Sequence, residues 1–245
     1  MPKVSFVMPT KNREKLIGQA IESIVDQTIS DWELIVIDDH SDEIDQTKKI
    51  VESFHDQRIR YYYLDDRFPK GIAHARNFGN QFALSPIIAV VDSDDLCKEN
   101  RLEETIKAFE ETNCDIFYSK YEIQFQETGE IRERKTPITD FSIEMMQQYN
   151  IIPHATSAYK REIAYDFPYN PFFHIGEDYD FFTRLGNADK KFYFCDKILY
   201  RVIVHGDNIT GGKKFGEIET LIKANRGWIE TDRSSVIDAI FSERK

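Results

Sequence analysis

Apolar positions along the chain switch between two spacings, and the switches mark out alternating strands and helices. Residues 4–8 form a compact apolar run closed by Pro9, which predicts a buried strand. Across residues 14–27, Leu16, Ile17, Ala20, Ile21, Ile24 and Val25 recur at helical spacing and define one buried face. Residues 32–37 predict a second buried strand, stopped by Asp38-Asp39. Ile50, Val51 and Phe54 mark the apolar side of another helix, and residues 59–64 predict a third strand. A helix over 71–84 follows, and then the most strand-like run of the chain at 87–91, where Pro86 is tolerable because it stands at the strand's start. Leu102, Ile106 and Phe109 make the next helix amphipathic. This order predicts an α/β fold: a mostly parallel, Rossmann-like sheet with helices on both faces.

Beyond Asp115 the pattern loosens. Residues 116–125, 155–159 and 192–200 predict further strands, which make a smaller mixed sheet. Glu127-Thr128-Gly129-Glu130 predicts a hairpin turn, residues 179–185 a short helix, and residues 216–245 two amphipathic helices. No repeat, low-complexity stretch or linker interrupts the chain, so one continuous domain is expected.

In a parallel α/β sheet, ligands sit outside the carboxyl ends of the strands. Here the first strand ends at Pro9-Thr10, the second at Asp38-Asp39 and the fourth at Asp92-Ser93-Asp94-Asp95. Carboxylates packed as closely as these last repel one another unless solvated or neutralised. A hard divalent cation such as Mn²⁺ or Mg²⁺, bound through oxygens and shared with phosphates, is a natural partner. The cluster alone is equally compatible with a solvated acidic turn capping the next helix.

Composition narrows the partners. A net charge of −11 argues against a nucleic-acid surface, because nothing offsets repulsion from the phosphate backbone. Cys97, Cys114 and Cys195 are scattered, without zinc or disulfide spacing, and are expected as reduced thiols in a cytoplasmic protein. The N-terminal apolar run is too short for a signal peptide, and no run approaches the ~20 residues of a membrane-spanning helix, so any membrane contact is expected to be peripheral, at the inner face. The Tyr61-Tyr62-Tyr63 run fits a strand packed on both faces, and Lys213-Lys214, Lys223 and Arg226 fit solvated surface.

Several segments together carry a resemblance. The first strand leads into Pro9-Thr10-Lys11-Asn12-Arg13, the second ends in Asp38-Asp39, and the fourth ends in Asp-x-Asp. Gly71-Ile72-Ala73-His74-Ala75-Arg76-Asn77-Phe78-Gly79 and Gly176-Glu177-Asp178 follow in order. This set, spanning about Val4 to Thr210, resembles the family 2 inverting glycosyltransferases of the GT-A fold. The resemblance implies a nucleotide-sugar-binding half at about 1–114, an acceptor-binding half at about 115–215, and C-terminal helices at 216–245. It places the nucleotide against Pro9, Thr10, Arg13, Asp39, Arg76, Asp92, Ser93 and Asp94. A divalent metal falls to Asp94, Asp95 and His205, with the choice between the two aspartates open. The resemblance makes Asp178 the catalytic base, with Glu177 and Asp180 as rivals.

The implied reaction moves one sugar from a nucleoside-diphosphate donor to an acceptor hydroxyl with inversion. UDP is the expected nucleotide, with dTDP and GDP open, and the acceptor is expected to be a glycan or lipid-linked. Processive synthases of this kind carry Gln-x-x-Arg-Trp; the chain has Arg226-Gly227-Trp228, which favours a single transfer, and the resemblance implies polysaccharide or glycolipid, cell-surface glycan synthesis. A homo-oligomer is left open. Two other readings compete. A haloacid-dehalogenase-like phosphatase also uses Asp-x-Asp, but usually near the chain's start. A non-catalytic sugar-nucleotide-binding module would not need a base. No Gly-x-Gly-x-x-Gly follows the first strand, which disfavours a dinucleotide enzyme.

Overall fold

The structure is a computed structural model that describes residues 1–133, 139–173 and 175–206. The chain runs β1 (Val4–Thr10), α1 (Ile17–Val25), β2 (Trp32–Asp39), α2 (Thr47–Ser53), β3 (Ile59–Leu64), α3 (Ile72–Phe82) and β4 (Ile87–Val90). It continues through β5 (Leu96–Cys97), α4 (Arg101–Thr112), β6 (Ile116–Phe125), β7 (Ile131–Glu133) and α5 (Ile143–Met146). After a 3-10 turn at His154–Thr156 come β8 (Ala158–Lys160), α6 (Arg161–Asp166), α7 (Glu177–Asn187) and β9 (Phe192–Val204).

The strands form one sheet in the order β3-β2-β1-β4-β8-β6-β9-β5, with β7 paired to β6. Strands β3, β2, β1 and β4 are mutually parallel, as the alternation of strands and helices predicts. The mixed strands expected downstream join the same sheet through the antiparallel pairing of β8 with β4 and β6.

Burial on both faces follows from the sequence. Along β1, Val4, Phe6 and Met8 enter one core layer with Ile17, Ile21 and Ile24 of α1. Val7 faces the other layer, with Ile35 and Ile37 of β2 and Ala73 and Ala75 of α3. Each such fully buried aliphatic chain contributes about 1.5–3 kcal/mol relative to exposure, so both layers hold the strands in register. Gly79 lets α3 approach closely: a Cβ there would stand 2.6 Å from Cγ1 of Val7 and 3.1 Å from Cγ1 of Ile37.

Four differences from the sequence pattern matter for the site. Strand β9 continues past Tyr200 to Val204, because Arg201 lies on a polar side where its Nε donates to Glu122 at 2.5 Å. Helix α7 starts at Glu177, two residues earlier than its apolar spacing indicates. Carboxylates in a first turn suit the positive end of the helix dipole. The 155–159 segment is divided between the 3-10 turn and β8, and β5, α5 and α6 are too short to show a period. The helices expected over 216–245 lie outside the described residues, as do Lys213-Lys214, Lys223 and Arg226.

Candidate active site

The parallel strands deliver their carboxyl ends to one edge. Thr10 is the register partner of Asp38, and Val7 that of Val90, so the segment from Val91 onward emerges beside the end of β1. The Thr10 hydroxyl is buried and has no hydrogen-bond partner among the described residues. Pro9 precedes it within the same buried strand. Asp38 and Asp39 divide their work. Asp38 accepts from the Ser41 N–H at 2.9 Å and the Tyr61 hydroxyl at 2.6 Å, which uses both of its oxygens inside the protein. Asp39 faces the loop before α3, accepting from the Gly71 N–H at 2.9 Å and meeting Nδ1 of His40 at 2.8 Å.

The acidic cluster is similarly divided. Asp92 is partly exposed and holds Arg76 at 3.2 Å. Burial raises its proton affinity, Arg76 lowers it, and the nearby Asp94 and Glu177 raise it again. Its own N–H donates to the Tyr200 hydroxyl at 3.1 Å. Ser93 is buried. Asp94 presents its Oδ2 to Nε of Arg13 at 3.4 Å and to Nε2 of His205 at 3.2 Å. Asp95 turns inward: it is 6% exposed, and its Oδ1 accepts the Ile203 N–H at 2.8 Å. Burial first, and then Asp92 and Asp94, push its carboxyl well above the usual range. The extension of β9 supplies both contacts, since it places Ile203 under Asp95 and leads to His205 beside Asp94.

Beneath the cluster lies Arg101, 1% exposed, whose role its sequence position did not suggest. Its guanidinium donates to the Val90 carbonyl at 2.7 Å and to Sγ of Cys97 at 3.2 Å, clasping the chain just before and just after the four acidic-turn residues. It also lies 4.9 Å from the Tyr200 ring centre.

The first turn of α7 carries three carboxylates in three different settings. Glu177 is ion-paired with Arg76, and Asp180 accepts from Nε of Arg184 at 2.9 Å. Asp178 has a neutral donor instead, Nδ2 of Asn150 at 2.9 Å. Burial, and then the negative charge of Glu177, push its proton affinity up to about 7. A carboxyl poised near neutrality suits proton transfer at physiological pH. Asn150 lies in an irregular loop and carries no periodic signal, so only the fold reveals it.

The segment that approaches α7 is fixed by α3. Asn77 accepts from the Tyr169 N–H and donates to the Tyr169 carbonyl, both at 2.8 Å. Nε2 of His154 meets the Tyr169 hydroxyl at 2.8 Å, and burial holds this imidazole well below its usual range, in the neutral form. Thus Arg76 and Asn77, adjacent in sequence, tie α3 to Asp92 and Glu177 and to the segment leading into α7 respectively.

A parallel sheet gathering Thr10, Asp39 and the 92–95 cluster, faced by a carboxyl poised near 7, has the architecture of GT-A-type glycosyltransferases. The chain belongs to glycosyl transferase family 2, whose family model matches residues 5–166. It is 40% identical over 120 residues to the UDP-Glc:alpha-D-GlcNAc-diphosphoundecaprenol beta-1,3-glucosyltransferase WfgD of Escherichia coli, covering 49% of this chain and 46% of that one. The chain thus spans about half the length of this relative, and less of several others. Its fold resembles that of S. aureus TarS 1-349 in complex with UDP-GlcNAc, with a TM-score of 0.71 and 21% identity over 90% of this chain and 65% of the other. It also resembles the mannosyltransferase PcManGT of Pyrobaculum calidifontis in complex with GDP-Man and Mn²⁺, with a TM-score of 0.68 and 16% identity over 95% and 65% of the two chains.

Proposed function

We propose that the chain transfers one sugar from a nucleoside-diphosphate donor, UDP-linked by preference, to an acceptor hydroxyl with inversion, using Asp178 as the base. The observation that carries this reading is the contrast within one helical turn. Glu177 and Asp180 are neutralised by arginines, whereas Asp178 is held by an amide and retains a proton affinity near neutrality. The acceptor oxygen attacks the anomeric carbon from the face opposite the donor phosphate, and its proton passes to the Asp178 carboxylate. The bond from anomeric carbon to phosphate oxygen breaks, and the nucleoside diphosphate leaves with the electron pair. A positioned base of this type contributes about 10²–10⁴-fold.

On the donor side, Asp39 and the unpartnered Thr10 hydroxyl are assigned to the nucleoside, with Asp92 toward the ribose and Arg13 toward the diphosphate. The residues present fit a divalent cation bound jointly with the donor. Asp94 offers a carboxylate and His205 an imidazole at the same point, while no group of three potential ligands occurs among the described residues. Mn²⁺ or Mg²⁺ commonly completes such a partial set with phosphate oxygens and water. Bound there, the ion would stabilise charge on the departing diphosphate. We assign Asp94 rather than Asp95 to it, because Asp95 is committed to Ile203.

The names of the relatives support a lipid-linked or glycan acceptor in cell-surface glycan synthesis. No helix among the described residues is long and apolar enough to cross a membrane. The deciding experiment compares wild type with Asp178→Asn for release of UDP from UDP-glucose and UDP-N-acetylglucosamine, and for UDP affinity by calorimetry with Mn²⁺. Loss of turnover by at least about 10²-fold with affinity retained is the expected result. Near-normal turnover in the variant overturns the base assignment.

A further inference from the structure

Arg76 is buried, at 4% exposure, and lies one helical turn before Gly79, where α3 packs tightly on Val7 and Ile37 of the sheet. One nitrogen of its guanidinium, Nη2, donates to Oδ1 of Asp92 at 3.2 Å, and the other, Nη1, donates to Oε1 of Glu177. A single planar cation therefore ties the end of β4 to the first turn of α7, across 101 positions of sequence on the Glu177 side. Its plane is backed by the Tyr169 ring, with the centres 5.7 Å apart, and Asn77 locks the Tyr169 backbone. The family resemblance implies that Arg76 contacts the nucleotide, yet both of its terminal nitrogens already serve carboxylates of the protein.

From this geometry we infer that Arg76 is a positioning residue for the base, pairing with Glu177 to couple the donor-side aspartate Asp92 to Asp178. The inference rests on the assignment of Asp178 as base. A guanidinium holds its donors in a rigid planar fork aimed at two carboxylates, whereas an ammonium is a compact point charge on a flexible stem. It thereby fixes how far α7 stands from the acidic edge, and how much of Glu177's charge reaches its neighbour. The charged groups facing Asp178 are Glu177 from its own helix and Arg76 from α3, while Asn150 approaches as a neutral amide. His154, which faces Arg76, is held neutral and adds no charge. Glu177 raises the proton affinity of Asp178 and Arg76 lowers it, so the pair acts on the base with opposed signs.

The test is a ¹³C-carboxyl NMR titration of the full chain, with the Asp178 signal assigned by its loss in Asp178→Asn. Glu177→Gln keeps the shape of the side chain and removes its charge. The Asp178 midpoint should then fall by about one pH unit. Arg76→Lys keeps the charge but loses the fork, and should move the midpoint by at least about half a unit, or weaken UDP binding by at least about threefold. Circular dichroism identifies a variant that fails to fold, and the other of the two then carries the test. Wild-type midpoints and UDP affinity in every folded variant overturn the coupling. Since turnover of Asp178→Asn is measured separately, that result would leave the base assignment standing. Near-normal turnover in Asp178→Asn would remove both.

Discussion

The backbone N–H of Ile203 donates to Oδ1 of Asp95 at 2.8 Å, and this bond sets the inward-turned Asp95 apart from the rest of its acidic run. Asp94, one residue earlier, instead meets Arg13 and His205. Asp95→Ala should therefore cost stability, about 1–3 kcal/mol, because it leaves the Ile203 N–H buried without an acceptor. Asp94→Ala should stay within about 1 kcal/mol of wild type, since its carboxylate faces the open edge. The same two variants should reverse in Mn²⁺-dependent UDP binding, where Asp94→Ala loses the greater part. Urea unfolding and calorimetry on both proteins check the exchange. Equal behaviour of the two variants would refute the division.

Asp178 should make the protein less stable as pH rises. Its folded-state proton affinity is raised to about 7, from an ordinary value of 3.8. The stabilising contribution of the bound proton is thus complete below about pH 4 and is lost between about pH 4 and pH 7. Asp178→Asn removes this dependence while preserving an acceptor for Asn150. Its stability advantage over wild type should grow across that window, reaching on the order of 1–3 kcal/mol at pH 8 once solvent screening is allowed for. Denaturant titrations at pH 5 and pH 8 measure the difference. A variant that gains nothing at pH 8 would show that the folded protein does not disfavour the ionised carboxylate.

Much of this arrangement was legible in the sequence, for physical reasons that also explain where legibility ended. The residues of β1 and β2 are buried on both faces, so their continuous apolar runs announced the parallel half of the sheet. The ends of those runs, and of the run at 87–91, pointed to Thr10, Asp39 and the 92–95 turn. The bond between Asp95 and Ile203 was not legible, because it depends on β9 crossing over the cluster 108 residues later. Arg76 is the clearest case of partial legibility. Its segment marked it as functional, but its direction became evident only when the first turn of α7 brought Glu177 to it. Asn150 and Arg101 act through loop geometry and burial, which no spacing encodes.

Close packing at Gly79 should be essential to the site as well as to the core. An added Cβ would press on Val7 and Ile37, both in the sheet interior where little can yield. Gly79→Ala should destabilise the fold by about 1–3 kcal/mol despite the higher helix propensity of alanine. Because Arg76 lies one turn away on the same helix, UDP affinity should fall too. Unfolding and calorimetry together check this. Unchanged values in both would mean that α3 can shift without disturbing the edge.

Cation dependence gives the most direct reading of the donor side. A ligand that binds only the folded state raises stability by RT ln(1 + [L]/Kd), about 2.7 kcal/mol at a hundredfold excess over Kd. UDP with Mn²⁺ should therefore raise the melting temperature, and EDTA should reduce the shift to that of UDP alone. His205→Ala should lower the ligand-free melting temperature modestly, because the imidazole is buried against Asp94, so its ligand-induced shift is read against the variant's own ligand-free value. Loss of one imidazole ligand should weaken joint binding by at least about tenfold, which lowers the ligand-induced stabilisation by about 1.4 kcal/mol. Melting curves with UDP, Mn²⁺ and EDTA in all combinations decide the matter. A full shift for UDP in the presence of EDTA would show that the diphosphate binds without an ion and would overturn the metal assignment of Asp94 and His205. A full shift in His205→Ala that still requires Mn²⁺ would leave Asp94 as the protein's contribution to the metal.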